Sequence, residues 1–213
     1  MADTDASSSG SLNVAGSDGL DMPQPHKVDS GAGLRRPPLW LGFLWGFAEG
    51  TLFFIVPDLI LSWASLSGVR CGIKIFGAIL VGAAIGGLCL YAWALWWPDS
   101  ARSAVASVPF VRTRMFDKVE EDYRTHGVSG IFYTLGTGIP YKVYAVLAPP
   151  ITNPVTWALV TVPARAERMA LSWLIPTLLG WSLRRWITSH QRLTVVLWLG
   201  FWVVTYAIYW STV

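Results

Sequence analysis

The pattern of hydrophobic and polar positions divides the chain at Pro38. Before it, Ser, Gly, Asp and Ala recur without any apolar period. A segment of that kind buries too little surface to offset its ordering entropy. Residues 1–38 are therefore expected to form a disordered polar arm, closing on Arg35-Arg36-Pro37-Pro38. Beyond it the apolar runs are of two kinds. Ile75 to Pro98 and Leu193 to Val213 carry no charge over 24 and 21 residues, and about 20 apolar residues cross a bilayer as a helix. Trp96-Trp97 and Trp210 stand at the ends of these runs, where an aromatic belt would meet the membrane surface. Gly77, Gly82, Gly86 and Gly87, with Ala78, Ala83 and Ala84, make the first run a face on which another helix can pack closely.

The remaining runs are interrupted. Residues 39–66 contain Glu49, Gly50, Pro57 and Asp58, and residues 128–150 contain Gly136, Gly138, Pro140, Lys142 and Pro149-Pro150. A continuous helix tolerates neither pattern well, and broken backbone at membrane depth survives only where protein or water satisfies it. The expected fold over residues 39–213 is an all-α polytopic membrane protein. It has two opposing re-entrant helical hairpins, about 39–66 and 128–150, with hairpin breaks at Pro57 and Pro140, plus about three transmembrane helices, one of them near 154–182. Asp58, directly after Pro57, is placed to cap a returning half-helix. Between the hairpins, over about 100–125, Val105, Val108, Phe110, Val111, Met115, Phe116, Val119 and Tyr123 recur among charges at helical spacing. That spacing predicts an interfacial amphipathic segment, covering a hairpin mouth.

Charge then orients the chain. Lys27, Arg35, Arg36, Arg70, Lys74, Arg184, Arg185 and Arg192 fall on one side of this layout, and Arg102, Arg112, Arg114, Lys118 and Arg124 on the other. An excess of eight basic residues over five places the N-terminus in the cytoplasm, with the reverse orientation left open. Composition excludes most other classes. With 53% hydrophobic and 14% charged residues, a soluble domain could not cover its surface. A net charge of +3 without a basic run excludes nucleic acid as a partner. If helical, Cys71 and Cys89 are separated by roughly 27 Å of rise, beyond the reach of a disulfide. His26, His126 and His190 lie outside the apolar runs, so no metal, no cofactor and no Ser-His catalytic pair is expected.

Six ionisable residues interrupt the apolar region: Glu49, Asp58, Lys142, Arg165, Glu167 and Arg168. Charge at bilayer depth is expensive, which makes each a functional candidate. Plainer readings stand beside this one: Asp58 as a helix cap, Glu167 on an exposed helix face, and a structural ion pair joining Arg165 or Arg168 to Glu49 or Asp58. Arg165 and Arg168 share one helical face. If the hairpins face each other, three cations against two acids favour an anion, and phosphate is the group Arg and Lys bind best.

In order and spacing these residues resemble the DedA family, also described as the VTT or SNARE-associated membrane domain. Ala48-Glu49-Gly50-Thr51 through Val56-Pro57-Asp58-Leu59 is similar to the family's acidic first hairpin. His126-Gly127-Val128 through Gly138-Ile139-Pro140-Tyr141-Lys142-Val143 resembles the second, closest to the short YqaA-like branch, and Ala164-Arg165-Ala166-Glu167-Arg168-Met169 resembles the following basic stretch. The likeness covers roughly residues 40–182. Thr137, Pro149 and Met169 depart from it, and Lys142 stands in for the charge absent at Thr137. The resemblance implies a flippase or scramblase of the bacterial inner membrane, not an enzyme. Its substrate would be a phosphate-bearing lipid, undecaprenyl phosphate or a phospholipid, moved between leaflets with possible proton coupling. It implies substrate-binding roles for Lys142, Arg165 and Arg168 and proton-coupling roles for Glu49 and Asp58. Its partners are membrane lipids with anionic phosphate headgroups; a homodimer is left open. The alternatives are an ion-coupled small-solute or cation transporter and a non-catalytic structural membrane protein.

Overall fold

In the computed structural model, residues 34–53, 56–133 and 138–211 are described. The polar arm, apart from its last residues, and Gly136 and Thr137 of the second interrupted run lie outside them. Every regular element among the described residues is helical: α1 (Leu39–Gly50), α2 (Asp58–Leu66), α3 (Val69–Trp96), α4 (Pro98–Ala106), α5 (Thr113–His126), a short 3-10 helix (Gly127–Tyr133), α6 (Tyr141–Leu147), α7 (Pro154–Ser182), α8 (Arg184–Ser189) and α9 (Gln191–Ser211). Val69–Trp96 and Gln191–Ile208 are long and apolar enough to cross a membrane, which points to membrane association.

Helix ends fall where the sequence punctuates the chain. Pro38, Pro57 and Pro140 each stand immediately before a helix, at α1, α2 and α6, where a missing N–H costs nothing. Asn153 caps α7 by accepting a hydrogen bond from the Thr156 N–H at 2.9 Å, with Pro154 as the first helical residue. α3 starts at Val69, ahead of the uncharged run that begins at Ile75. Arg70 and Lys74 sit on its exposed side, so their charged ends reach outward while the backbone stays helical.

α1 and α3 meet backbone to backbone. Gly42 lies on Ile75, Gly46 on Ile79 and Gly50 on Ala83. A Cβ on Gly82 would collide with the Phe43 carbonyl, and one on Gly86 with the Phe47 carbonyl. Small residues at four-residue spacing allow this approach, with dispersion contacts replacing side-chain interdigitation. The paired positions rise together along both helices, so α1 and α3 run the same way. The chain must therefore return between them, and α2 provides the return. The α1 end reaches only Ala83 and Gly87, midway along a helix of roughly 42 Å.

α7 runs opposite to α3. Near one end the Tyr91 hydroxyl donates to the Thr152 carbonyl at 2.6 Å; near the other, Gly72 lies against Trp173. α6 begins at the same mid-height, since the Tyr141 hydroxyl occupies the space that a Gly87 side chain would need. Two apolar cores result. One joins α3, α4, α5, α6 and the start of α7 around Leu90, Val119, Tyr144 and Trp157; the other joins α2, α3 and α7 around Leu61, Ile75, Ile79 and Met169. The apolar face of the 100–125 region is turned largely inward: Val105, Phe116, Val119 and Tyr123 are buried in the first core. It forms two helices rather than one, α4 and α5, broken around Phe110, which has a φ of 74°.

α9 is attached more sparsely. The indole N–H groups of Trp198 and Trp202 both donate to the Ser62 hydroxyl oxygen, at 3.0 and 3.2 Å. Trp210 packs edge-on against Phe110. Most of its other large side chains, among them Val196, Phe201, Val203 and Ile208, are exposed.

Candidate functional site

The site lies where the inner end of α1, the start of α2 and the middle of α7 converge. Glu49 occupies the last turn of α1 because Gly46 and Gly50 bring that turn onto α3. Its carboxylate pairs with the Arg165 guanidinium, both side chains being about nine-tenths buried. The guanidinium also lies 4.5 Å from the centre of the Tyr141 ring, a cation–π contact that strengthens when water is excluded. A buried pair of this kind contributes little net stability, yet losing one partner is costly because the other charge remains buried.

Asp58 is the first residue of α2, and its side chain does not cap that helix. It faces Ser172 and the charge of Arg168 on α7 instead. This corrects the expectation of a helix cap: Pro57, in helical conformation, already occupies the position before the helix. Glu49, Pro57, Asp58, Arg165 and Arg168 line one narrow cleft of about 20 Å³, together with Tyr141 and Met169. That space holds about one water molecule.

Lys142 and Pro140 lie outside this lining. Lys142 is buried, and its ammonium donates to the Phe53 carbonyl at 2.6 Å. It therefore ties the start of α6 to the inner end of the first helix pair. Arg168 is close enough for its charge to act on Asp58, Lys142 and Arg165. It has no ion-pair partner among the described residues. Glu167 is exposed, as expected for the outer face of α7. No group of three or more His, Cys, Asp or Glu side chains that could hold a metal ion occurs among the described residues.

Sequence reasoning did not single out Trp157, Thr161 or Tyr141. Trp157, Thr161 and Arg165 repeat every four residues, which puts them on one face of α7. The Trp157 ring stacks on Tyr141 with centroids 5.6 Å apart. A second polar cluster was also unanticipated. Asp122 on α5 is buried, accepts the Tyr144 hydroxyl at 2.7 Å and pairs with Lys118 at 2.9 Å. Tyr123 donates to the Tyr144 carbonyl at 2.8 Å, and burial pushes its hydroxyl far above the ordinary phenol range, so it remains a donor. This cluster clamps α5 to α6.

Neither a protein-family model, a curated protein nor a solved structure matches this chain.

Proposed function

We propose that the protein is a polytopic membrane transporter of the DedA type that moves a phosphate-bearing lipid between leaflets. In this proposal α1 with α2, and the segment before α6 with α6, are re-entrant hairpins opposed at mid-membrane, and α3, α7 and α9 span the bilayer. The N-terminus lies in the cytoplasm, and the membrane is the bacterial inner membrane. One observation carries the proposal: the buried Glu49–Arg165 pair, with Asp58 and Arg168 in the same cleft, lies midway along α3. Charge at that depth is tolerated where it serves a substrate or ion path, and transporters build midplane sites from interrupted helices. Arg168, at the exposed mouth, is the cation available to an incoming phosphate, while the apolar face of α7, including Leu171, Ile175 and Leu178, accommodates an acyl or prenyl chain. Arg165 joins the headgroup when Glu49 is protonated and releases it.

The expected outcome in reconstituted vesicles is leaflet exchange of a labelled lipid phosphate, reduced at least tenfold by Arg168→Ala and by Glu49→Gln. Wild-type exchange in both variants would remove these residues from the mechanism. The narrowness of the cleft favours a second reading, an ion-coupled transporter of small solutes or cations, because only water-sized groups fit it as it stands. Proton flux driven by a soluble solute, and insensitive to lipid headgroup, would select that reading.

A further inference from the structure

Next to the Glu49–Arg165 pair, between α6 and α7, four side chains present polar atoms for which no hydrogen-bond partner exists among the described residues: the Tyr141 hydroxyl, the Trp157 indole N–H, the Thr161 hydroxyl and the Arg165 Nε–H. All four residues are more than nine-tenths buried, with exposures of 3%, 0%, 1% and 8%. The Tyr141 hydroxyl lies against Thr161 and Trp157, but not in the directional geometry of a hydrogen bond to either. Buried polar groups are satisfied in the great majority of cases, and leaving one unsatisfied costs about 1–3 kcal/mol. Four together form a polar cluster that the described residues leave incomplete.

The chemistry of the four narrows what that acceptor is. The indole and the Nε–H can only donate, whereas the two hydroxyls can donate or accept. A bound species must therefore accept from the nitrogens and is best able to donate to the hydroxyl oxygens. Water does both. A phosphodiester or chloride only accepts, and the adjoining cleft, at about 20 Å³, is sized for water. Arg165 is already neutralised by Glu49 and the Lys142 ammonium is directed to the Phe53 carbonyl, so the cation an anion meets first is the exposed Arg168.

We infer that Tyr141, Trp157, Thr161 and Arg165 form a buried site for ordered water, a hydrated step one to two helical turns long that leads from the Glu49–Arg165 pair toward the Asn153 end of α7. As a proton route to Glu49 the water depends on the transport proposal; as a binding site it stands on the four donors alone.

Radiolytic hydroxyl-radical labelling in ¹⁸O-enriched water, which modifies side chains beside bound water, tests the site in protein held in lipid nanodiscs. Tyr144 is the internal control: it is fully buried, and its hydroxyl is donated to Asp122. Tyr141 and Trp157 are expected to take up ¹⁸O at least fivefold faster than Tyr144, and Thr161→Val, which preserves shape, should cut the uptake at Trp157 several-fold. Equal rates at Tyr141 and Tyr144 would overturn the site. Labelling present in detergent but absent in nanodiscs would also overturn it, since a lipid oxygen would then be the acceptor. Neither result depends on whether lipid is transported.

Discussion

Two carboxylates among the described residues are buried, under opposite terms. Asp122 is surrounded by partners that complete it: the Tyr144 hydroxyl and the Lys118 ammonium reach its oxygens, and the Tyr123 hydroxyl closes the neighbouring carbonyl. Glu49 is paired with Arg165, but the partner is incomplete, because its Nε–H and three adjacent polar atoms find no acceptor in the described chain. Glu49 also lines a cleft with Asp58 and Arg168. A buried charge therefore does not by itself mark a functional site. What separates the two is completeness: the closed network fixes α5 on α6, and the open one retains capacity for something else.

The sharpest way to break the comparison is Glu49→Ala. It leaves the Arg165 guanidinium buried without its anion, and a loss of about 3–5 kcal/mol is expected in thermal or denaturant unfolding of the nanodisc-held protein. A loss under about 1 kcal/mol would show that the pair is already hydrated or open. Replacing both partners, Glu49→Met with Arg165→Met, should recover most of that stability while abolishing lipid exchange; recovery of exchange as well would make the pair structural, like Asp122. Next in size, Asp122→Ala strands the Tyr144 hydroxyl and should cost about 1–3 kcal/mol, with lipid exchange per folded molecule unchanged. A fall in exchange that outruns the fall in folded protein would erase the distinction.

An uncharged counterpart extends the test. Ser62 donates to the Leu59 carbonyl and accepts both Trp198 and Trp202, so its hydroxyl is also complete. Ser62→Ala should cost about 1–2 kcal/mol and shift tryptophan emission as both indole N–H groups lose their acceptor; an unchanged spectrum would mean that α9 is not held there. The smallest effect belongs to the surface. Glu120 and Arg102 are paired at 2.9 Å but are each about half exposed, so Glu120→Gln should stay within about 0.5 kcal/mol of the parent.

Much of this was legible along the chain, for physical reasons. Proline opens a helix more readily than it sits inside one, so Pro57 and Pro140 mark helix starts, and the Asn153-Pro154 start of α7 is visible as a cap followed by a proline, although the same helix continues through Pro163 and Pro176. Glu49 and Asp58 share one cleft with Arg165 and Arg168, because burying charges singly is too costly, while Glu167 stays exposed. Facing relationships were less accessible. Gly42, Gly46 and Gly50 acquire meaning only when α3 supplies the opposite surface. Lys142 reads as a phosphate ligand beside the other cations, yet one of its three N–H donors is directed to the Phe53 carbonyl, a backbone partner that no side-chain pattern announces. The uncharged run begins only at Ile75, inside α3, because Arg70 and Lys74 interrupt hydrophobicity without interrupting the helix.

The shared direction of α1 and α3 has a consequence for how the protein is made. Gly42, Gly46 and Gly50 each wait for a residue 33 positions later. Until that stretch emerges from the ribosome, α1 is a 12-residue segment of roughly 18 Å, too short to cross a hydrocarbon layer of about 30 Å and with its glycine face bare. In the membrane placement proposed above, the acidic end of α1 enters the bilayer interior only in the company of α3, and assembly is then ordered in time: the later helix chaperones the earlier one.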